Sequence, residues 1–271
     1  MNHTRTPGGG FRLMGIVNVT PDSFSDGGRF LRPRAAVEHG RRLAREGAEI
    51  LDVGGESTRP GAEPVAADEE LARVLPVLEG LAGADTGAQI SIDTSKAPVA
   101  RAALEAGATL VNDVTAFRGD PEMAGVVADR DADCCLMHML GDPRTMQRDP
   151  RYDDVVDDVK RFLAQRLQFA VGEGIGEERI MLDPGIGFGK TAAQNRALLR
   201  RLDELATLGR PIVIGTSRKR FLGGELHERL PATIATNVLA LERGASVFRV
   251  HDVAPLRDAL AAAAATLGDH G

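Results

Sequence analysis

A (β/α)8 barrel is the fold this sequence predicts, and three observations predict it. Eight short apolar runs recur along the chain, each followed by a stretch of helical periodicity. Such alternation implies a parallel sheet, because every crossover must return the chain to the same edge direction. The 271 residues are close to the roughly 250 that one such barrel uses. Gly47, Gly107 and Gly244 stand just after helical stretches, in the usual stop position. A doubly wound open sheet is the alternative, but it usually has fewer strands. No linker marks a second domain, so 11–271 reads as one domain behind a loose tail at 1–10.

The elements follow in order. An apolar run over 13–19 is the first strand, and the loop at 20–28 is dense in turn formers. A helix over 34–46 places Ala36, Val37, Leu43 and Ala44 on its apolar positions. Strand 50–53 runs into a second long loop at 54–61, and a helix follows over 68–81. Strand 89–93 closes on Asp93 and is followed by a helix over 97–105. Strand 109–113 ends on Asn112-Asp113, before a short helix at 121–128. Strand 134–139 ends at His138, and a linker with Pro143 and Pro150 leads to a long helix over 152–171. The run Ile180-Met181-Leu182 stops on Asp183, a glycine-rich turn follows, and a helix spans 192–208. Strand 211–215 runs into Ser217-Arg218-Lys219, with a helix over 233–243. Strand 246–250 meets His251-Asp252 before an alanine-rich helix at 255–267.

Composition narrows the class. With no Trp, one Tyr and nine Phe, the core rests on aliphatic side chains. A formal charge of −6 argues against general nucleic-acid binding, which normally shows a basic footprint, while leaving room for a local anion pocket. The two cysteines, Cys134-Cys135, are adjacent and offer neither a disulfide framework nor a spaced metal pair, which fits a reducing compartment. The first ten residues lack the apolar core of a signal peptide, and no run reaches the roughly 20 apolar residues of a membrane span. A soluble cytoplasmic protein is expected.

In such barrels the active site lies at the C-terminal ends of the strands. Here those ends carry Asn18, Asp52, Asp93, Asn112-Asp113, His138, Asp183, Ser217-Arg218-Lys219 and Arg249 with His251. The N-terminal ends read as plain connections, and a fold alone does not require that asymmetry. Any one polar end could be a cap; eight together point to a site. Arg59, Arg249, His251, Thr58 and Asn18 suit an oxyanion, the arginine fork bonding two oxygens at once. Asn18 could also offer a carbonyl oxygen to Mg²⁺. Asp93, Asn112, Asp183 and Lys219 could read the edge of a flat heterocycle, the carboxylates accepting paired N–H groups and the lysine donating.

Other chemistries fit less well. His138, Asp183 and His251 could ligate zinc, but no His-x-His or His-Glu-x-x-His supports it. The turn at 185–191 ends in Gly-Lys-Thr like a phosphate loop, yet only three residues separate Gly185 from Gly189, and Asp-Pro precedes it. Lys190 therefore reads as a helix-start residue. Ser217 lacks a nucleophile elbow, and Cys135 reads as core packing.

Met14-Gly15-Ile16-Val17-Asn18-Val19-Thr20-Pro21-Asp22-Ser23-Phe24-Ser25-Asp26-Gly27-Gly28, Asp52-Val53-Gly54-Gly55-Glu56-Ser57-Thr58-Arg59-Pro60-Gly61, Ser91-Ile92-Asp93-Thr94, Val111-Asn112-Asp113, Leu136-Met137-His138-Met139, Leu182-Asp183-Pro184-Gly185-Ile186-Gly187-Phe188-Gly189-Lys190, Ser217-Arg218-Lys219 and Arg249-Val250-His251-Asp252 together resemble the dihydropteroate synthases. The match covers nearly the whole chain. It implies a barrel that condenses 6-hydroxymethyl-7,8-dihydropterin diphosphate with 4-aminobenzoate, giving 7,8-dihydropteroate and diphosphate in folate biosynthesis, with Mg²⁺ as cofactor. By the same resemblance Asp93, Asn112, Met137, Asp183 and Lys219 are expected at the pterin. Asn18, Thr58, Arg59, Arg249 and His251 are expected at the diphosphate, with Asn18 on the metal. Phe24, Pro60, Gly61, Phe188, Ser217 and Lys219 are expected at 4-aminobenzoate, where sulfonamides also bind in this family. Lys219, Asp93, Asp183 and Arg249 would carry the catalysis. Relatives form homodimers, and one is expected here, although the connection at 221–233 lacks the glycine expected just before its helix. A pterin-binding methyltransferase domain is the rival, but it gives no reason for two long anion-binding loops. A pterin binder without turnover is the non-enzymatic rival, and the intact polar set speaks against it.

Overall fold

The structure, a computed structural model, describes residues 10–20, 31–58 and 61–268. The tail expected at 1–10 lies, apart from Gly10, outside the described residues. Eight strands, β1 (Arg12–Asn18), β2 (Ile50–Gly54), β3 (Gln89–Asp93), β4 (Leu110–Asp113), β5 (Asp133–Met137), β6 (Ile180–Asp183), β7 (Ile212–Ile214) and β8 (Ala245–Val250), form a closed parallel barrel in chain order. Closure is explicit in the pairing of β8 with β1, Phe248 lying beside Leu13 and Val250 beside Gly15. That pairing excludes the open sheet.

The helices between strands are α1 (Leu31–Glu46), α2 (Ala67–Ala82), α3 (Ala97–Glu105), α4 (Met123–Asp129), α5 (Val155–Gly172), α6 (Ala192–Arg200), α7 (Leu202–Ala206), α8 (Leu230–Glu242) and α9 (Val253–Leu267). Local chemistry sets their ends. Asp154 starts α5 three residues later than its sequence suggests, its carboxylate accepting from the N–H groups of Val156 and Asp157. Thr191 and Gln194 form a reciprocal capping box at α6. The helix expected over 192–208 is two helices, broken at Arg201, whose guanidinium bonds Glu204 and Asp154. The connection into α8 does lack a glycine at the helix start. Arg229 closes it instead, donating to the carbonyls of Gly223, Gly224 and Arg218.

Alternation along the strands fixes what lies inside. Met14, Ile50, Leu110, Cys135, Met181, Val213 and Val247 form one buried apolar cluster, the floor of the barrel interior. The residues between them, such as Leu51, Val111, Leu136, Leu182 and Phe248, join the larger core between barrel and helices. Because successive side chains point to opposite faces, the positions two residues beyond the floor point inward again. Those positions are Ile16, Asp52, Asn112, Met137, Asp183, Gly215 and Arg249, with Asp93 two beyond Ser91. The apolar floor thus carries a largely polar layer.

The lower end is not plain. Arg12 donates to Gln89 Oε1 at 2.8 Å, Gln89 donates to Asp133 Oδ2 at 2.8 Å, and Arg179 reaches Asp133 at 3.4 Å and Asp131 at 2.6 Å. The expected polar asymmetry between the two barrel ends is therefore weaker than the sequence suggests. Arg12 and Asp133 lie beside apolar runs, where nothing local flags them.

Candidate active site

A cleft opens above the polar layer at the C-terminal ends of the strands. It is lined by Ile16, Thr58, Asp93, Asn112, Val114, Met137, Asp183, Phe188, Gly215, Ser217, Lys219, Arg249 and His251. It is partly open to solvent. Ten residues expected at a site from the sequence meet here: Thr58, Asp93, Asn112, Met137, Asp183, Phe188, Ser217, Lys219, Arg249 and His251. Asn18 sits half-buried at the end of β1 and Gly61 is exposed, its N–H bonded to the carbonyl of Pro143; neither lines the cleft. Phe24, Arg59 and Pro60 lie outside the described residues.

Strand parity sorts the remaining polar ends. Asn112 points in, but Asp113 points out and caps its own turn, accepting from Thr115 N–H, Thr115 Oγ1 and Phe117 N–H. Met137 points in, whereas His138 turns outward to Lys190, 2.9 Å from its Nδ1. His138 and His251 therefore do not converge with Asp183 on one metal.

Arg249 is the hub of one side of the cleft. Its Nε donates to Asp52 at 2.6 Å and an Nη to Asp93 at 2.7 Å. Asp52 also accepts from Ser91 Oγ at 2.6 Å and Asn112 Nδ2 at 3.1 Å, so this fully buried carboxylate orients two cleft residues at once. Sequence reasoning marks Asp52 as a strand end but gives it no ligand. One guanidinium cannot neutralise two carboxylates. Burial, with Asp52 beside it, pushes Asp93 up to about 7 against the pull of Arg249. Burial likewise raises Asp183, while Lys219 and the Gly185 N–H, 2.7 Å away, work the other way.

The opposite side is built differently. Lys219 donates to the carbonyl of Ile186, and its Nζ stands 4.8 Å from the centre of the Phe188 ring. Burial brings Lys219 down to about 8 although Asp183 favours its charge. Between Ser217 and Lys219, Arg218 takes a positive φ of 59° and is held by two bonds to Asp252, at 2.9 and 2.5 Å. The strained backbone turns its two neighbours into the cleft. Ser217 Oγ accepts from the backbone N–H of His251 at 3.2 Å and lies 2.9 Å from His251 Nδ1, so the hydroxyl and the ring orient each other.

Lys190 is not the simple helix-start residue its position suggests. It is 3% exposed, lies outside the cleft, and bonds His138 together with the carbonyls of Gly185 and Phe188. A phosphate-loop role is excluded by that burial.

Comparison with known proteins agrees with this geometry. Residues 14–251 match the family model of pterin binding enzymes. A dihydropteroate synthase from Synechocystis sp. is 46% identical over 246 residues, covering 89% of this chain and 85% of the relative. The Xanthomonas albilineans dihydropteroate synthase solved with 4-aminobenzoic acid superposes with a TM-score of 0.88 at 49% identity, covering 93% of this chain and 92% of that one. The same enzyme in complex with 7,8-dihydropteroate gives 0.84 at 46%, with the same coverage. With fold, polar layer and matches in agreement, the chain belongs to the pterin-binding enzymes and, among them, to the dihydropteroate synthases.

Proposed function

We propose that this cleft condenses 6-hydroxymethyl-7,8-dihydropterin diphosphate with 4-aminobenzoate to give 7,8-dihydropteroate and diphosphate. The observation that carries this reading is the inward polar layer. Asp93, Asn112 and Asp183 present acceptors and a donor on one side of a cleft whose rim holds Arg249, His251 and Thr58. The pterin edge would lie against Asp93, Asn112, Asp183 and Lys219, over Met137. Diphosphate would lie at the rim with Asn18, Thr58, Arg59, Arg249 and His251. The arylamine would enter between Phe188, Ser217 and Lys219, with Phe24, Pro60 and Gly61 proposed as its further contacts.

In the reaction the bond between the pterin methylene and the diphosphate oxygen breaks, and the oxygen keeps the electron pair. The arylamine nitrogen then bonds the methylene and gives up one proton. Arg249 and His251 offset charge growing on the leaving oxygens, and Asp93 and Asp183 offset positive charge spread over the pterin. No protein nucleophile is needed.

Mg²⁺ fits the donor chemistry at the rim. Asn18, at the end of β1 beside the cleft, would have to turn its amide oxygen toward the ion, and among the described residues no cluster of His, Cys, Asp and Glu forms a metal cage. Such an ion keeps water and phosphate oxygens as most of its ligands, so Asn18 could suffice as the protein's share. Bound there, Mg²⁺ would supply charge neutralisation to the diphosphate. A homodimer is also proposed, supported by Leu239 on α8, 46% exposed, and Leu226, 58% exposed. No helix among the described residues is long and apolar enough to cross a membrane. A cytoplasmic setting is also proposed, supported by two cysteines that are free and buried.

The test is diphosphate release from dihydropterin diphosphate and Mg²⁺, with and without 4-aminobenzoate. Release should require both substrates, and Lys219→Ala should lose about a hundredfold or more in turnover. Release indifferent to 4-aminobenzoate, or methyltetrahydrofolate bound more tightly than the dihydropterin diphosphate, would sink the reading.

A further inference from the structure

The turn between β6 and α6 makes almost no backbone hydrogen bonds to other elements, yet its five carbonyls from Gly185 to Gly189 are occupied. Gly185 and Phe188 carbonyls accept from Lys190 Nζ, each at 2.9 Å. The Ile186 carbonyl accepts from Lys219, that of Gly187 from Gln147 Nε2 at 2.6 Å, and that of Gly189 from Tyr152 at 2.7 Å. Side chains thus satisfy five successive carbonyls, an accounting a buried irregular segment requires. Lys190 alone takes two of them and also meets His138 Nδ1 at 2.9 Å. Three acceptors at that distance match the three N–H donors of an ammonium; burial pushes Lys190 well below the usual lysine range, and the Asp183 carboxylate opposes that shift.

The turn is seated against the end of β5. A Cβ at Gly185, whose φ is 66°, would fall 1.9 Å from the His138 carbonyl oxygen, so that backbone approach tolerates no side chain. The His138 ring is enclosed in turn by Phe162, 4.8 Å away edge-on, and Tyr152 at 6.0 Å. One face of the turn therefore rests on Lys190 and His138, and the other presents Phe188 and the Ile186 carbonyl to Lys219 and the cleft.

We propose that Lys190 is a positioning residue for the second substrate. From a site that touches no ligand, it holds the 185–189 turn in the shape that sets Phe188 and Lys219 beside the arylamine. This rests on the assignment of Phe188 to the 4-aminobenzoate site. Asp93 and Asn112 are held by the strand ladder and by Asp52, whereas Asp183 and Lys219 each bond the turn, so the pterin side depends on Lys190 in part and the arylamine side more fully.

Lys190→Met keeps the length and removes every donor. Its KM for 4-aminobenzoate should rise about tenfold or more, the scale on which small misplacements act. Its KM for dihydropterin diphosphate should rise several-fold less, because only Asp183 and Lys219 of the pterin set bond the turn. A merely structural lysine would lower the melting temperature and leave both KM values unmoved; that result, or an equal rise in both, overturns the proposal. Should Lys190→Met fail to fold, amide exchange of the wild-type chain decides. The Gly185, Gly187 and Phe188 amides, each hydrogen-bonded within the turn and its flanks, should be protected without substrates. Rapid exchange there overturns a preformed turn. Tyr152→Phe, which frees only the Gly189 carbonyl, should shift the same KM in the same direction by less, and a shift confined to the pterin KM counts against the proposal. If the wild-type chain releases no diphosphate, the functional reading falls, while the exchange measurement still reads the clamp.

Discussion

Both ends of this barrel bury an arginine among polar partners, and only one end is a site. At the lower end Arg12 is tied through Gln89 to Asp133, which Arg179 also meets, so two cations share the nearest buried carboxylate. At the upper end Arg249 alone serves Asp52 and Asp93, with Asp183 close by. Among the described residues the lower set has no carboxylate in excess of its cations and faces no cleft, its Arg179–Asp131 pair reaching the surface. The upper set has surplus negative charge, faces a cleft, and leaves acceptors able to exchange partners. A buried ion cluster by itself says little about function; surplus charge next to open space says much more.

Three experiments break or sharpen that contrast. The largest effect should come from Arg249→Ala, which strands two buried carboxylates. Loss of one partner of such a cluster costs about 3–5 kcal/mol, and diphosphate affinity should fall with it. The fold is therefore not spared, as a purely ligand-binding role would have it. The sign with pH follows from Asp93. Its folded value is already raised, so the folded state holds a proton that the unfolded state releases, and stability falls as pH rises from the unfolded value toward about 7. Without Arg249 that value climbs further. Denaturant midpoints of the variant should accordingly recover in mild acid more than wild-type midpoints do; a pH-independent deficit would count against the shared-cation account.

Arg12→Met should have an intermediate effect and only on stability, about 1–3 kcal/mol from the broken hydrogen-bonded chain. Turnover and both KM values should be those of the wild type. A changed KM would mean the lower cluster is not isolated from the cleft.

The smallest effect is the pH profile of kcat/KM for the unaltered chain. Asp93 must be ionised to accept pterin N–H groups, which gives a rise through about 7, and Lys219 must be protonated to donate, which gives a fall through about 8. The profile should be a narrow bell. In Lys219→Arg the alkaline limb should move out of range; an unmoved limb would assign it to another group.

The period of two makes the barrel legible, because each strand is a short apolar run and each helix has its own stop. It also makes much of the cleft legible, since a polar residue closing such a run must lie at the rim. Parity within the rim is harder to see: Asn112 and Asp113, or Met137 and His138, are neighbours in sequence and face opposite ways. Asp52 and Arg249 meet across a separation of 197 positions, and no local pattern marks that meeting. Lys190 hides its role for a related reason. Its surroundings are carbonyls contributed by a turn, and backbone acceptors leave no trace in side-chain composition.

The occupied carbonyl of Gly189 has an optical consequence. Tyr152, which holds it, is the sole tyrosine of a chain without tryptophan. Its phenol is raised above the usual range by burial and packs near His138. Near-ultraviolet emission from the unlabelled protein therefore has one dominant source, placed by the fold at the back of the turn that carries Phe188. A rearrangement that breaks the bond from Tyr152 to the Gly189 carbonyl changes the surroundings of that one phenol, with no label introduced into the cleft.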